Sequence, residues 1–250
     1  MNDRLIGLVP AAGKGMRLNL PYPKELYPII RDNRYKPLAQ FVVENLIASG
    51  AKHIVFVINE TKHQLVGYFG SGKRFGCRFS YVVQDYDNNQ SESTSPGLAN
   101  ALDSAYHLIK EKTVLFGMAD TIMQPQNVFS NLLGAAQSQD QVILGLFKVD
   151  RPEKFGMVEY DSNWRVKQII DKPKKTDLKY AWGCIAWRPQ FSEFMHSCIN
   201  EENISDFALI MNNAIRQGLS FRSFIPPGGS YADLGTYVEI LDMERKNRAK

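Results

Sequence analysis

The 250-residue chain is 44% hydrophobic and 22% charged, which suits one large α/β domain and leaves too little chain for two. Its formal net charge of +4 comes without a dense Arg/Lys tract, so the composition argues against a nucleic-acid binder and suits small phosphorylated substrates. Cys77, Cys184 and Cys198 lack metal-ligand spacing and predict buried free thiols. No apolar run approaches the about 18 residues of a membrane span, so we expect a cytoplasmic protein.

The first part of the chain alternates between strand and helix patterns, which predicts a doubly wound, mixed and mostly parallel α/β sheet. Strand patterns cover residues 5–9, 53–58, 78–84 and 113–116, and helix patterns cover residues 38–49, 63–69 and 98–109. Beyond Asp120 the pattern changes to a helix over 128–137, a strand over 141–147, hairpin strands over 157–160 and 166–170, and helices over 191–198, 206–216 and 237–246. We expect the hairpin to extend a single domain.

A glycine-rich turn follows the first predicted strand. Gly13 and Gly15 leave the backbone free of Cβ atoms, and successive N–H groups in such a turn form a cradle for anions. Arg17 and Lys24 can add full positive charge to that cradle. Because a leaving pyrophosphate gains charge in the transition state, this combination suits polyphosphate transfer.

Two further features lie at the predicted carboxyl ends of strands, where ligands bind in α/β sheets. Asp120 closes an apolar strand, and its carboxylate is a hard oxygen ligand that suits Mg²⁺. Residues 85–96 form a polar, turn-rich loop that is placed to act as a lid.

Six motifs in order resemble the sugar-nucleotide pyrophosphorylases of the nucleotidyltransferase superfamily, such as glucose-1-phosphate thymidylyltransferases and UTP-glucose-1-phosphate uridylyltransferases. They are the segments Leu8–Ile29, Gln84 with Gly97–Ala99, Leu115–Thr121, Phe155–Glu159, Asp171–Pro173 and Tyr231–Thr236. The resemblance implies a Rossmann-like, GT-A-like fold in one domain over residues 1–250. Its nucleotide-binding half would be about 1–120, and its sugar-phosphate-binding half, which contains the hairpin, about 121–250.

The resemblance also implies a role for each matching residue. Arg17, Lys24 and Lys172 would be catalytic, and Asp120 and Asp233 would hold Mg²⁺. The nucleotide would contact Ala11, Ala12, Gly13, Gly15, Gln84 and Gly97, and the sugar phosphate would contact Gly156, Glu159, Asp171, Gly183 and Tyr231. The expected partners are a nucleoside triphosphate and a sugar 1-phosphate, with no nucleic acid, no membrane and a possible homo-oligomer.

The substrates remain open at this point. The family types named above favour dTTP or UTP with a hexose 1-phosphate. The short spacing from Arg17 to Lys24, however, resembles cytidylyltransferases that use CTP and another phosphorylated alcohol or sugar. A catalytically silent nucleotide-sensing domain of the same fold is a third alternative, which the retention of Asp120 and Asp233 disfavours.

Overall fold

The computed structural model describes residues 4–13, 15, 18, 20–31, 34–85 and 97–248. The first strands are β1 (Leu5–Pro10), β2 (Pro28–Arg31), β3 (Arg34–Pro37), β4 (His53–Ile58), β5 (Arg78–Val83), β6 (Thr113–Gly117) and β7 (Thr121–Gln124). The later strands are β8 (Val142–Lys148), β9 (Gly156–Tyr160), β10 (Val166–Asp171), β11 (Tyr180–Trp187), β12 (Phe221–Phe224) and β13 (Ser230–Asp233). The helices are α1 (Leu38–Ala48), α2 (His63–Phe69), α3 (Leu98–Asp103), α4 (Tyr106–Ile109), α5 (Val128–Ala135), α6 (Pro189–Asn200), α7 (Phe207–Arg216) and α8 (Tyr237–Arg248).

The central sheet is mixed, as the sequence predicted. Strands β6, β1, β4 and β5 are adjacent and parallel, and they carry the N-terminal half of the chain. Strand β11 joins them to the C-terminal half, where it pairs antiparallel with β6, β8 and β9. The predicted hairpin is confirmed as the antiparallel pair β9 and β10 at the edge of the sheet.

Helices cover both faces of the sheet, which is the doubly wound arrangement that the alternating pattern predicted. One core lies between the sheet and α3, α6 and α7, and is represented by Phe116, Trp187 and Phe191. The other lies between the sheet and α1, α2 and α5, and is represented by Phe56 and Phe129. The side chains of β1 and β4 are buried on both faces, because parallel strands under two helical layers have no solvent side.

One predicted helix, over residues 98–109, is instead two short helices, α3 and α4. The hydroxyl of Ser104 donates to the carbonyl oxygen of Asn100, and the N–H of Ala105 donates to Leu102 with the tighter spacing of three residues. Serine side chains compete for helix carbonyls in this way and bend or end helices. Periodicity alone does not reveal this competition.

The expected free thiols are confirmed, since Cys77, Cys184 and Cys198 are buried and unpaired with one another. Within the described part of the chain, no helix has both the length and the apolar character that crossing a bilayer requires.

Candidate active site

Two cavities lie side by side at the carboxyl ends of β1, β5 and β6. The smaller, of about 210 Å³, is lined by residues 10–13 after β1, by Gln84 after β5 and by Asp120 after β6. The larger, of about 620 Å³, opens between β6, β9, β11 and the start of α7. Both are lined by Gly97, Leu98, Met118 and Asp120. Ligands in the two cavities would therefore meet at Asp120.

The turn after β1 is held by backbone contacts to β4 and the segment that follows it. The N–H of Ala11 donates to the carbonyl oxygen of Val57 at 2.7 Å, and the amide of buried Asn59 donates to the carbonyl oxygen of Ala12 at 2.7 Å. No described atom lies within 4 Å of the position that a Cβ on Gly13 would occupy, so the turn leaves open space beside its backbone. Ala11, Ala12 and Gly13 line the smaller cavity, as expected of a nucleotide-binding turn.

A Cβ on Gly15 would lie 3.9 Å from Cγ of Lys24, and Gly15 is not among the residues lining the smaller cavity. It has a φ of +66°, which glycine adopts without strain, and it lines a third cavity of about 400 Å³ together with Lys24, Thr61 and Lys62. Arg17, predicted to bind the triphosphate, lies outside the described residues.

Lys24 begins a short 3₁₀ helix, Lys24–Leu26, that follows Pro23. Its ammonium donates to Oδ2 of Asp120, and both side chains are about seven-eighths buried. Burial disfavours the charged ammonium, but the carboxylate of Asp120, assisted by those of Glu25 and Asp233, outweighs it and raises the pKa of Lys24. The side chain therefore presents a fixed positive charge at the wall of the smaller cavity.

A buried ion pair lies next to Lys24. The ammonium of Lys62 donates to both carboxylate oxygens of Glu25, at 2.7 and 2.6 Å, and both side chains are almost fully buried. Burial outweighs the attraction of Glu25 and lowers the pKa of Lys62. Because Glu25 follows Lys24 directly, this pair anchors the 3₁₀ helix that carries the catalytic candidate. Neither Glu25 nor Lys62 was among the predicted site residues.

Gln84 and Gly97 both line the smaller cavity. Gln84 is buried, and its backbone N–H donates to the carbonyl oxygen of Ile58 at 2.8 Å, which extends the pairing of β5 with β4 by one residue. Gly97 precedes α3 and lines both cavities. A Cβ on Gly97 would lie 3.1 Å from the carbonyl oxygen of Ser205, so the glycine permits the close approach of the segment before α7. The predicted lid, apart from Asp85, lies outside the described residues.

Asp120 and Asp233 are brought together by a two-stranded ribbon. Strand β13 pairs antiparallel with β7, so Asp233 stands opposite Thr121, the neighbour of Asp120. The N–H of Leu234 also donates to the carbonyl oxygen of Asp120 at 3.0 Å. Both aspartates line the larger cavity. Two carboxylates from adjacent strands suit a hard divalent cation, although no third acidic, histidine or cysteine side chain joins them among the described residues.

The larger cavity contains most of the residues predicted to contact a sugar phosphate. Gly156, Asp171, Lys172 and Tyr231 line it. Lys172 has a φ of +45°, and its backbone N–H donates to the carbonyl oxygen of Phe155 at 3.0 Å, which ties the end of β10 to the start of β9. Its ammonium lies 3.1 Å from Oδ2 of Asp171 and is largely exposed.

Tyr231 contributes an aromatic wall to the larger cavity. Its ring packs against those of Phe147 and Phe155, at 5.4 and 6.0 Å between centroids. Burial disfavours the phenolate, and the negative charges of Asp233 and Asp120 add to this, so the pKa of Tyr231 lies well above its ordinary value. Tyr231 is therefore a neutral hydroxyl at physiological pH.

Glu159 was also predicted to contact the sugar. Glu159 is not among the residues lining the larger cavity, and its carboxylate instead accepts from the amide of Gln168 at 2.6 Å and lies 3.8 Å from Lys167. The reason is the alternation of a strand: Gly156 and Glu159 are three residues apart on β9, so their side chains face opposite sides of the sheet.

Gly183 was likewise predicted to contact the sugar phosphate. Gly183 lies behind Tyr231 and is absent from the residues lining the cavity. A Cβ on Gly183 would lie 2.6 Å from the Tyr231 ring and 2.7 Å from the Phe147 ring. The glycine therefore makes room for the aromatic wall rather than for a ligand.

The larger cavity is also lined by residues that were not predicted to belong to the site, among them Lys154, Glu239 and Trp182. Lys154 and Glu239 line it and form an ion pair of 2.6 Å, and the hydroxyl of Thr236 donates to the other oxygen of Glu239. Burial favours the neutral acid of Glu239, but these contacts outweigh it and lower its pKa. Trp182 lines the cavity next to Gly156. Lys154 and Trp182 could have been suspected from the sequence, because they lie within two residues of Gly156 and Gly183, which were predicted to contact the sugar.

Comparison with known proteins supports the resemblance. A family model described as nucleotidyl transferase matches residues 6–250. A glucose-1-phosphate thymidylyltransferase from Neisseria meningitidis is 28% identical over 182 residues, which cover 70% of this chain and 58% of that protein. Another from Mycolicibacterium smegmatis is 23% identical over 242 residues, which cover 94% of this chain and 80% of that protein. This chain thus aligns with less than two thirds of the length of the Neisseria protein.

The fold is shared with solved structures. The crystal structure of a UDP-glucose pyrophosphorylase complexed with UDP-glucose matches this chain with a TM-score of 0.77 at 20% identity, and the match covers 98% of both chains. This similarity confirms the mixed α/β fold that the sequence predicted.

Proposed function

Because this chain belongs to the nucleotidyl transferase family, we propose that it joins a nucleoside triphosphate to a sugar 1-phosphate and releases pyrophosphate. The observation that carries the proposal is the sharing of Asp120 by two adjacent cavities, with Lys24 bound to Asp120 at their boundary. A reaction between two phosphorylated substrates requires two such compartments that meet at one charged wall.

The smaller cavity would hold the base and ribose. The amide of Gln84 can donate to one polar atom and accept from another, which suits the O4 and N3–H edge of thymine or uracil. The relatives named above use these bases according to their names, so we favour dTTP or UTP. The triphosphate would pass Gly13 and reach the third cavity beside Gly15 and Lys62, where pyrophosphate can leave.

The sugar 1-phosphate would occupy the larger cavity, with its phosphate near Lys172. An oxygen of that phosphate attacks the α-phosphorus, a new P–O bond forms, and the bond from the α-phosphorus to the bridging oxygen breaks as pyrophosphate departs. Lys24 lies at the boundary where this charge develops, and Arg17 would assist it. The geometry requires no covalent intermediate with the enzyme.

Asp120 and Asp233 fit a divalent cation, and we propose Mg²⁺. The ion would supply charge neutralisation for the phosphates and help to orient them. Lys24 would exchange Asp120 for a phosphate oxygen when the substrates bind, because the cation and the ammonium compete for the same carboxylate.

The test is a matrix of five nucleoside triphosphates against a dozen sugar 1-phosphates and related phosphorylated alcohols, with pyrophosphate release as the readout. We expect release with dTTP or UTP and one sugar 1-phosphate, in the presence of Mg²⁺. Release with CTP alone would contradict the choice of base. Nucleotide binding without release in any combination would indicate the silent sensing domain and reject the proposal.

A further inference from the structure

Strand β11 carries two tryptophans, and only one of their indole N–H groups has a hydrogen-bond partner among the described residues. Trp187 is fully buried, and its Nε1 donates to Oγ of Ser192 at 2.8 Å. The Nε1 of Trp182 is equally inaccessible but has no hydrogen-bond partner among the described residues. Buried indole N–H groups nearly always have a partner, because leaving one unpaired is costly. The difference between the two residues therefore requires an explanation.

A β-bulge sets the direction of Trp182. In the pairing of β11 with β8, Trp182 stands opposite Leu146 and Cys184 opposite Gly145, which leaves Gly183 as the extra residue. Without the bulge, Trp182 would point to the same face as Cys184. With it, the indole joins the opposite face and packs near Phe116. Bulges re-aim side chains and are common next to active sites.

The re-aimed indole forms part of the larger cavity. Trp182 lines it together with Gly156, Lys172 and Asp233. The ring packs against those of Phe116 and Phe207, at 6.0 and 5.9 Å between centroids. A Cβ on Gly156 would lie only 2.3 Å from Nε1, so the N–H sits against the backbone at the start of β9. The unpaired donor is thus covered by the backbone of Gly156, the glycine predicted to contact the sugar, while other atoms of Trp182 line the cavity.

We propose that Trp182 determines which sugar the enzyme accepts, a proposal that rests on the function proposed above. The indole contacts the sugar ring, and its N–H donates to one sugar oxygen after a small adjustment of Phe155–Gly156. A fixed donor in a buried wall favours substrates that place an oxygen there and rejects analogues that lack it. Trp182 is thereby a specificity-determining residue beyond those that the sequence indicated.

The first measurement is the ¹H–¹⁵N spectrum of the indole groups in the wild-type protein, where Trp164, Trp182 and Trp187 give one signal each. The substitutions Trp164→Phe and Trp187→Phe assign the signals. The sugar 1-phosphate found active in the substrate matrix should shift the Trp182 signal downfield and slow its exchange with solvent, while the Trp187 signal stays in place. An unchanged Trp182 signal in the saturated complex would overturn the proposal.

The second measurement is kinetic. Trp182→Phe keeps an aromatic ring and removes the donor, so the KM for the sugar 1-phosphate should rise about tenfold while the KM for the nucleotide stays within about twofold. A monodeoxy sugar analogue that lacks the partner oxygen should bind wild type more weakly and show no further loss with Trp182→Phe. Trp187→Phe is the matched control, since it removes a satisfied N–H from the same strand and should not change either KM.

Unchanged KM values in folded Trp182→Phe would overturn the role of Trp182 while leaving the proposed function intact. Absence of product with every substrate pair in the wild type would instead overturn the proposed function itself.

Discussion

The ammonium of Lys24 and the carboxylate of Asp120, separated by 96 residues in the chain, form an ion pair at the boundary of two cavities. The pair joins the segment after β1 to the carboxyl end of β6. It holds a positive charge where two phosphorylated substrates would meet. If a substrate phosphate displaced Asp120 from Lys24, the phosphate would bind the Lys24 ammonium. The Asp120 carboxylate would then be available to bind a cation.

Replacement of Lys24 tests its assignment to catalysis. We expect Lys24→Ala to lower kcat by about 10²-fold or more, because it removes a cation from the charge that develops on the phosphates. The measurement is steady-state pyrophosphate release. Lys36→Ala is a suitable control, since Lys36 forms an ion pair of 2.6 Å with Glu44 away from the cavities. A folded Lys24→Ala protein with a near-normal kcat would reject the assignment.

The two aspartates should act as a unit. Asp120→Asn and Asp233→Asn should each abolish most activity, because each weakens the same cation site. The double variant should then be little worse than either single variant, and excess Mg²⁺ or Mn²⁺ should partly rescue each single variant. Activity is measured across a titration of the metal.

Two structural aspartates would behave differently, with independent losses of stability of about 1 kcal/mol each. Full activity of either variant, or of the wild type in excess chelator, would show that the cation site is wrong.

The buried pair Glu25 and Lys62 provides a stability prediction. Lys62→Met should lower the free energy of unfolding by about 3 kcal/mol, because it leaves the carboxylate of Glu25 buried without its partner. Adding Glu25→Gln should recover part of that loss, since the uncompensated charge disappears. Urea denaturation of the wild type, both single variants and the double variant measures both effects. Strict additivity of the two substitutions would argue against a coupled pair.

Asp140 provides a pH-dependent test. Its buried carboxylate accepts from Arg222 Nε at 2.6 Å, from the backbone N–H of Gln137 at 2.8 Å and from Ser220 at 2.8 Å. Burial favours the neutral acid, but these hydrogen bonds outweigh it, so the pKa of Asp140 is lowered in the folded protein. The Asp140 carboxylate therefore stabilises the folded protein fully when the pH is above its pKa in the unfolded chain, which is about 3.9. This stabilisation is lost as the pH falls through the lower pKa that Asp140 has in the folded protein.

We expect Asp140→Asn to lower the free energy of unfolding by about 2 kcal/mol at pH 7. The difference from wild type should shrink as the pH falls below about 3.9 and the wild-type carboxyl is protonated. Denaturant unfolding of both proteins from pH 7 to pH 2.5 gives this difference. A difference that grows on acidification would contradict the account.

Much of the fold could be predicted because its elements have local signatures. Strands β1 and β4 are continuous apolar runs, and α1 has a clear helical period, so their positions agree with the prediction to within one residue. Strands β2, β3, β7, β11, β12 and β13 were missed. Among them, β7, β12 and β13 have only four residues each and depend on partners distant in sequence. The ribbon of β7 and β13 is nevertheless what brings Asp233 to Asp120.

The residues of the candidate site also differ in how well the sequence predicts their positions. Residues at strand ends, such as Asp120, could be placed from the sequence because a carboxyl end opens onto the crevice. The side of β9 on which Glu159 lies could have been predicted as well, because strand alternation counted from Gly156 places the two residues on opposite faces. The direction of Trp182 could not, since a bulge at Gly183 reverses it and a bulge has no signature in the sequence here.

The most direct test of the central claim follows the α- and γ-phosphates of the triphosphate separately. The wild-type protein is supplied with Mg²⁺, the active sugar 1-phosphate and a nucleoside triphosphate labelled with ³²P at one of the two positions. If the sugar phosphate attacks the α-phosphorus, the α-label appears in a nucleoside diphosphate sugar and the γ-label appears in pyrophosphate. Appearance of the γ-label in orthophosphate or in the sugar product would contradict the account, because it would show hydrolysis or γ-phosphoryl transfer instead.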